Sequence, residues 1–90
     1  MNLKEKIVEK LKKEGYENFY VWKDEKGAHY DWHSHEYHEA RGMLKGEMII
    51  NTKNSTHRLK PGDVLYVKPG ELHEAYVLEE CEYVCAMKKE

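Results

Sequence analysis

The sequence predicts an all-β fold, a small barrel or sandwich of short strands preceded by one α-helix. Three observations lead there. After residue 15, runs rich in Val, Ile, Tyr and Trp are short, and Gly or Pro turns interrupt them about every 8–12 residues. Within those runs polar and apolar side chains alternate, the period of a strand with two unlike faces. Only the start of the chain has the longer period of a helix. Ninety residues make one domain with a modest core, which a bound metal or a partner subunit would help to stabilise.

The helix comes first. In NLKEKIVEKLKKE (2–14), Leu3, Ile7, Val8 and Leu11 fall on one face, and Gly15 follows as a stop. The stripe is narrow and needs something larger to pack on. Residues 1–15 are therefore expected as a helix lying on the barrel, and residues 16–90 as the barrel itself. ENFYVW (17–22) is aromatic and β-branched, as strands are, and DEKG (24–27) turns the chain. AHYDWHSH (28–35) alternates, which assigns His29, Asp31, His33 and His35 to one face and Ala28, Tyr30, Trp32 and Ser34 to the other. EARGMLKGEMIIN (39–51) is two strands parted at Gly46. TKNS, KPGD and KPGE are turns around the strands THRL (56–59) and VLYV (64–67), and LHEAYVLEE and CEYVCAM supply the last two strands.

Composition excludes several functions. Charged residues make up 36% of the chain, yet the net charge is only −2 with the signs interspersed, so the basic excess of a nucleic-acid binder is missing. The abundance of Lys and Glu fits a thermophilic source. No run of 18 apolar residues exists to span a membrane as a helix, and MNLKEKIVEK lacks the apolar centre of a signal peptide, so a cytoplasmic protein is expected. Cys81 and Cys85 sit four apart on one expected strand, too far to bond each other easily, and are expected as reduced thiols packed like small hydrophobes.

The stretch HSHEYHE (33–39) carries the chemistry. On a strand, His33 and His35 point the same way, about 6–7 Å apart, which suits two ligands of one metal. Glu39 opens the next strand and can face the same point. Such a polar face is costly to bury unless something satisfies it, and a divalent metal held by neutral imidazoles and a carboxylate would do so.

The surrounding spacing resembles the cupin superfamily, specifically its small single-domain members. Gly27, five residues, His33-Ser34-His35, three residues, Glu39, six residues and Gly46 reproduce the first cupin motif. Gly62, five residues, Lys68-Pro69-Gly70, two residues and His73 reproduce most of the second. Lys68 replaces a customary Pro, and Val77 replaces a customary Asn. The resemblance covers roughly residues 19–87. It implies a double-stranded β-helix, or jelly roll, and a metal held by His33, His35, Glu39 and His73. Three imidazoles and a carboxylate suit Fe, Mn, Ni, Co, Cu or Zn rather than Mg or Ca. It also implies a homodimer, formed through the aromatic first strand and the helix, and a small-molecule ligand. Cupins include dioxygenases, sugar isomerases, decarboxylases and non-catalytic binding modules. The expectation is a metal-dependent enzyme, dioxygenase- or isomerase-like, acting on a small anionic molecule; the alternative is a metal-dependent binding or sensing module.

Alternation places Arg41 on the same inward face as Glu39. It is a candidate to bind a substrate carboxylate, against the plainer reading of an ion pair with Asp31 or Glu47. Cys85 or Met87 could reach the pocket from the last strand. His29 is expected near the rim, His38 turned away from Glu39, and His57 solvated at a turn. Tyr30, Trp32, Tyr66, Tyr76 and Tyr83 are expected in the core or an interface.

Overall fold

The computed structural model describes residues 1–89; Glu90, the last residue of the expected barrel segment, lies outside the described residues. The helix α1 spans Leu3–Lys13. The Asn2 side chain caps it by accepting from the Glu5 backbone N–H at 2.8 Å. Gly15, at φ +94°, ends it in the left-handed conformation that glycine adopts without steric cost.

Eight strands follow: β1 (Glu17–Asp24), β2 (His29–His33), β3 (His38–Lys45), β4 (Met48–Thr52), β5 (Thr56–Leu59), β6 (Val64–Val67), β7 (His73–Val77) and β8 (Cys81–Lys88). They form two antiparallel four-stranded sheets, β1-β8-β3-β6 and β2-β7-β4-β5. This is the arrangement of a jelly roll, as the sequence predicts. The inner faces meet in a core that includes Met43, Met48, Ile50, Leu59, Val67 and Tyr83.

The outer face of the first sheet carries α1. Ile7 and Leu11 are buried against Ala40, Val84 and Ala86. Gly42 makes the approach close: a Cβ there would stand 2.6 Å from Ile7 Cγ2. Ile7, Leu11 and part of Val8 are thus covered within the chain, whereas Leu3 stays exposed. β3 is consequently buried on both faces over residues 39–43. Ala40 and Gly42 are small where the helix presses, and Glu39, Arg41 and Met43 point between the sheets.

Cys81 and Cys85 lie on β8, buried as free thiols. Burial raises both thiol pKa values, Cys81 to about 11, so both keep their protons at neutral pH.

Candidate metal centre

Strand β2 does not keep the expected alternation. Its register against β7 shifts between Tyr30 and His33. That irregularity re-aims the chain, so Tyr30 and His33, assigned to opposite faces by simple alternation, both line one cavity. His29 stays outside and stacks on Tyr76 at 4.3 Å. The strand also ends at His33. His35 reaches the cavity from the following loop, which is anchored where the Gly70 N–H donates to the His35 carbonyl at 2.8 Å.

His73 opens β7, directly opposite His33 in the ladder. The three rings converge, with centroids 4.2 Å apart for His33 and His73, 5.1 Å for His33 and His35, and 5.4 Å for His35 and His73. One ring nitrogen of each lies within 4.8 Å of the others, a spacing that could hold a metal ion. Glu39 stands beside them, with its carboxylate 3.4 Å from His35 Nε2 and 3.9 Å from His73 Nε2.

The protons of two rings are fixed by their partners. His33 Nδ1 lies 2.7 Å from the Asp31 carbonyl, and His73 Nδ1 lies 2.9 Å from the Glu71 carbonyl. A carbonyl only accepts, so each Nδ1 carries the hydrogen and each Nε2 is left with its lone pair. Hydrogen bonds of this kind orient metal-ligating histidines. His73 is fully buried, and its Nε2 has no hydrogen-bond partner among the described residues. Burial lowers its pKa, which favours the neutral form a ligand requires.

Arg41 is buried and points inward, as expected, but its partner is neither Asp31 nor Glu47. Its Nη2 lies 3.2 Å from Glu39 Oε1, and its guanidinium sits 5.0 Å from the centre of the Tyr83 ring. Glu47 is instead engaged by Arg58 at 2.7 Å. Alternation itself puts Glu39 within reach of Arg41, two residues away on one face of β3. Burial is the largest single influence and opposes the arginine's charge, but the Glu39 carboxylate together with Tyr83, Cys85 and Tyr20 raises the Arg41 pKa above its ordinary value. Arg41 Nε has no hydrogen-bond partner among the described residues.

The cavity holds about 200 Å³. His33, His35, Glu39, Arg41 and Cys85 line it, and His73 is buried behind that lining. Its remaining walls are aromatic. Tyr20 and Trp22 alternate along β1 with Phe19 and Val21, which face the helix layer. Of the β1 aromatics, Tyr20 and Trp22 thus line the cavity and Phe19 does not. Alternation along ENFYVW was the signal for this split. Tyr30 and Tyr83 complete the wall, and both hydroxyls donate to Asp24, at 2.5 and 2.6 Å. Tyr37, which the sequence reading did not single out, lines the cavity and stacks on His35 at 5.0 Å.

Other expected residues lie elsewhere. His38 is half-buried opposite Lys88 in the β3–β8 ladder. His57 lies in β5, its Nε2 2.9 Å from Ser55 Oγ. Trp32, Tyr66 and Tyr76 are exposed rather than core. Grooves of about 370 and 550 Å³ flank α1, but they are lined mainly by its solvated Lys and Glu side chains and gather no ligating group comparable to the histidines. No helix among the described residues is long and apolar enough to cross a membrane.

The fold and the histidine cluster define a class, and comparison with known proteins agrees. The cupin domain profile matches residues 20–87, and the chain belongs to that family. No curated protein sequence matches it. Among solved structures it is similar to a cupin-2 domain protein of Shewanella frigidimarina, with 23% identity, a TM-score of 0.68, and 76% of this chain and 66% of that one covered. It is similar to the DMSP lyase DddQ of Ruegeria pomeroyi, with 23% identity, a TM-score of 0.73, and 80% and 38% covered. It is also similar to KdgF of a Halomonas species, with 21% identity, a TM-score of 0.69, and 80% and 69% covered. This chain therefore spans less than two thirds of the first two proteins. Likeness at these identities carries the fold alone.

Proposed function

We propose that this cupin is a metal-dependent enzyme acting on a small anionic molecule, with one divalent transition metal held by His33, His35, Glu39 and His73. The observation that carries the metal is the buried, unpartnered Nε2 of His73. Its tautomer is set by a backbone carbonyl, and it lies in a cluster with two more imidazoles and a carboxylate. An unsatisfied buried polar atom is costly, and coordination would satisfy it. Nitrogen-rich ligation suits Fe, Mn, Co, Ni, Cu or Zn. Such an ion supplies Lewis-acid polarisation of a bound ligand or, if redox-active, oxygen chemistry. The chain's own residues confine a ligand of a few heavy atoms, since about 200 Å³ is below the roughly 300–1,000 Å³ of drug-sized sites. In this reading Arg41 balances the charge of Glu39 when no ion is bound, and its unpartnered Nε is the donor left for a ligand carboxylate.

One observation favours a second reading, a metal-dependent binding or sensing module. Among the described residues the cavity offers no free side chain ready to take a proton. Burial raises the Cys85 thiol and pushes Tyr20 up to about 12, while Asp24 already accepts from Tyr30, Tyr83 and Trp22. Any turnover would then have to proceed without a protein base.

Equilibrium dialysis of wild type, His35→Ala and His73→Ala against zinc or manganese tests the metal site. One ion per wild-type chain and a large loss of affinity in both folded variants are expected. Full metal retention by the variants would overturn the ligand set. Small carboxylates titrated into metal-loaded and metal-free protein test the ligand site, and affinity independent of the metal would contradict it.

A further inference from the structure

Five of the chain's ten aromatic side chains already carry a cation. Lys10 lies over Tyr66, Lys12 over Phe19, Arg41 over Tyr83, Lys53 over Trp32 and Lys88 over Tyr16, at 3.8 to 5.9 Å from the ring centres. Among the described residues no protein cation sits on Tyr20, Trp22 or Tyr30, and these three rings line the cavity beside the histidines. Tyr20 and Trp22 are 55% and 48% exposed, large apolar surface left open at that cavity.

We infer that this aromatic wall is a subsite for a small onium group, so that the molecule taken by the cavity is a zwitterion with a carboxylate at one end and a quaternary ammonium or similar methylated cation at the other. The carboxylate end rests on the reading given under Proposed function; the onium end rests on the wall itself.

Four features support the class. First, the rings are held in place by their polar tips. Trp22 Nε1 donates to Asp24 at 3.1 Å and lies 3.1 Å from the Tyr30 hydroxyl, which itself donates to Asp24. A ligand group that needed hydrogen bonds from those tips would find them taken, whereas a fully methylated cation needs none. Second, hydrogen bonds to a carboxylate enrich the electron density of the donating rings, and electron-rich ring faces attract cations. Third, the planes of Tyr20 and Trp22 stand at 82° with centres 6.3 Å apart, two differently oriented surfaces within one small site. Fourth, no lysine lines the cavity, and its one arginine is occupied by Glu39 and Tyr83. Asp24 sets a negative charge behind the wall, while the charge of Arg41 is paired with Glu39.

The test is a pair of probes differing only in charge: glycine betaine and 3,3-dimethylbutanoate, which replaces the quaternary nitrogen with carbon. Both are titrated calorimetrically into zinc-loaded and metal-free protein, with zinc content measured on the same samples. Betaine is expected to bind about fivefold tighter or more, from two exposed cation–π contacts. Trp22→Leu and Tyr20→Leu should each shrink that preference while the folded variants keep their zinc content. Equal or tighter binding of 3,3-dimethylbutanoate, an unchanged preference in both variants, or no binding of betaine to either form overturns the inference. Those outcomes leave the metal site standing, whereas loss of zinc from wild type would overturn the metal site, with the metal-free titration still reporting the charge preference.

Discussion

Replacing Arg41 with Gln should make the protein depend on its metal. Arg41 and Glu39 are 3.2 Å apart with side chains only 11% and 9% exposed, so water screens the pair poorly. At an effective dielectric constant near 20, two unit charges at that distance attract by about 5 kcal/mol. Desolvation offsets part of this, but removing one partner strands the other, and such losses run about 3–5 kcal/mol. The contact of Arg41 with the Tyr83 ring is lost as well. For a domain of this size about 3 kcal/mol corresponds to a melting temperature lowered by roughly 12–24 °C. That is the expectation for metal-free Arg41→Gln. With metal bound, the ion supplies the positive charge that Glu39 has lost, so the deficit should shrink. Scanning calorimetry of wild type and variant, each with and without chelator, gives the four midpoints. The variant should gain more from metal than wild type does, and Glu39→Gln/Arg41→Gln should recover much of the metal-free loss. Equal metal-induced shifts in the two proteins would refute the idea that ion and guanidinium compete for Glu39.

Three further outcomes are expected. Gly42→Ala places a Cβ 2.6 Å from Ile7 Cγ2 and should cost about 1–3 kcal/mol through displacement of α1, measured by urea denaturation, while metal affinity stays unchanged. Tyr83→Phe keeps the ring beneath Arg41 but removes the bond to Asp24, and should weaken metal binding only modestly, by up to about tenfold in equilibrium dialysis. The lowered His73 pKa has a signed consequence for the metal-free protein. The folded state resists protonation that the unfolded state accepts near the ordinary value of 6.5, so stability is full above that pH and falls as pH drops from there toward the lowered folded value. Melting temperatures of metal-free protein between about pH 7.5 and 5 should fall on acidification, and less steeply in His73→Asn; identical slopes would count against it.

Much of this was legible in the sequence because local rules decided it. Turn chemistry at Gly46 and at the two KPG segments set strand ends to within a residue or two, and alternation correctly aimed Glu39 and Arg41 together from β3. The helical stripe was visible, but that its cover would be Gly42, Ala40 and Val84 depends on which outer sheet face is small, a tertiary matter. Local periodicity failed at β2. The register shift between Tyr30 and His33 has no marker in AHYDWHSH, so Tyr30 was assigned away from the histidines it joins. The convergence of His73 with His33 across β2 and β7 came only from motif spacing, since the residues are forty apart in sequence and no periodicity links them. The sharing of Asp24 among Trp22, Tyr30 and Tyr83 depends on three strands meeting, which no local pattern reveals.

The most direct test is anomalous diffraction from crystals of the protein loaded with zinc or manganese, collected on either side of the metal's absorption edge. One full-occupancy peak is expected, about 2.0–2.2 Å from the Nε2 atoms of His33, His35 and His73 and from a carboxylate oxygen of Glu39. A peak away from His73, coordination through Nδ1 of His33 or His73, or no peak in protein that analysis shows to be loaded would contradict the assignment.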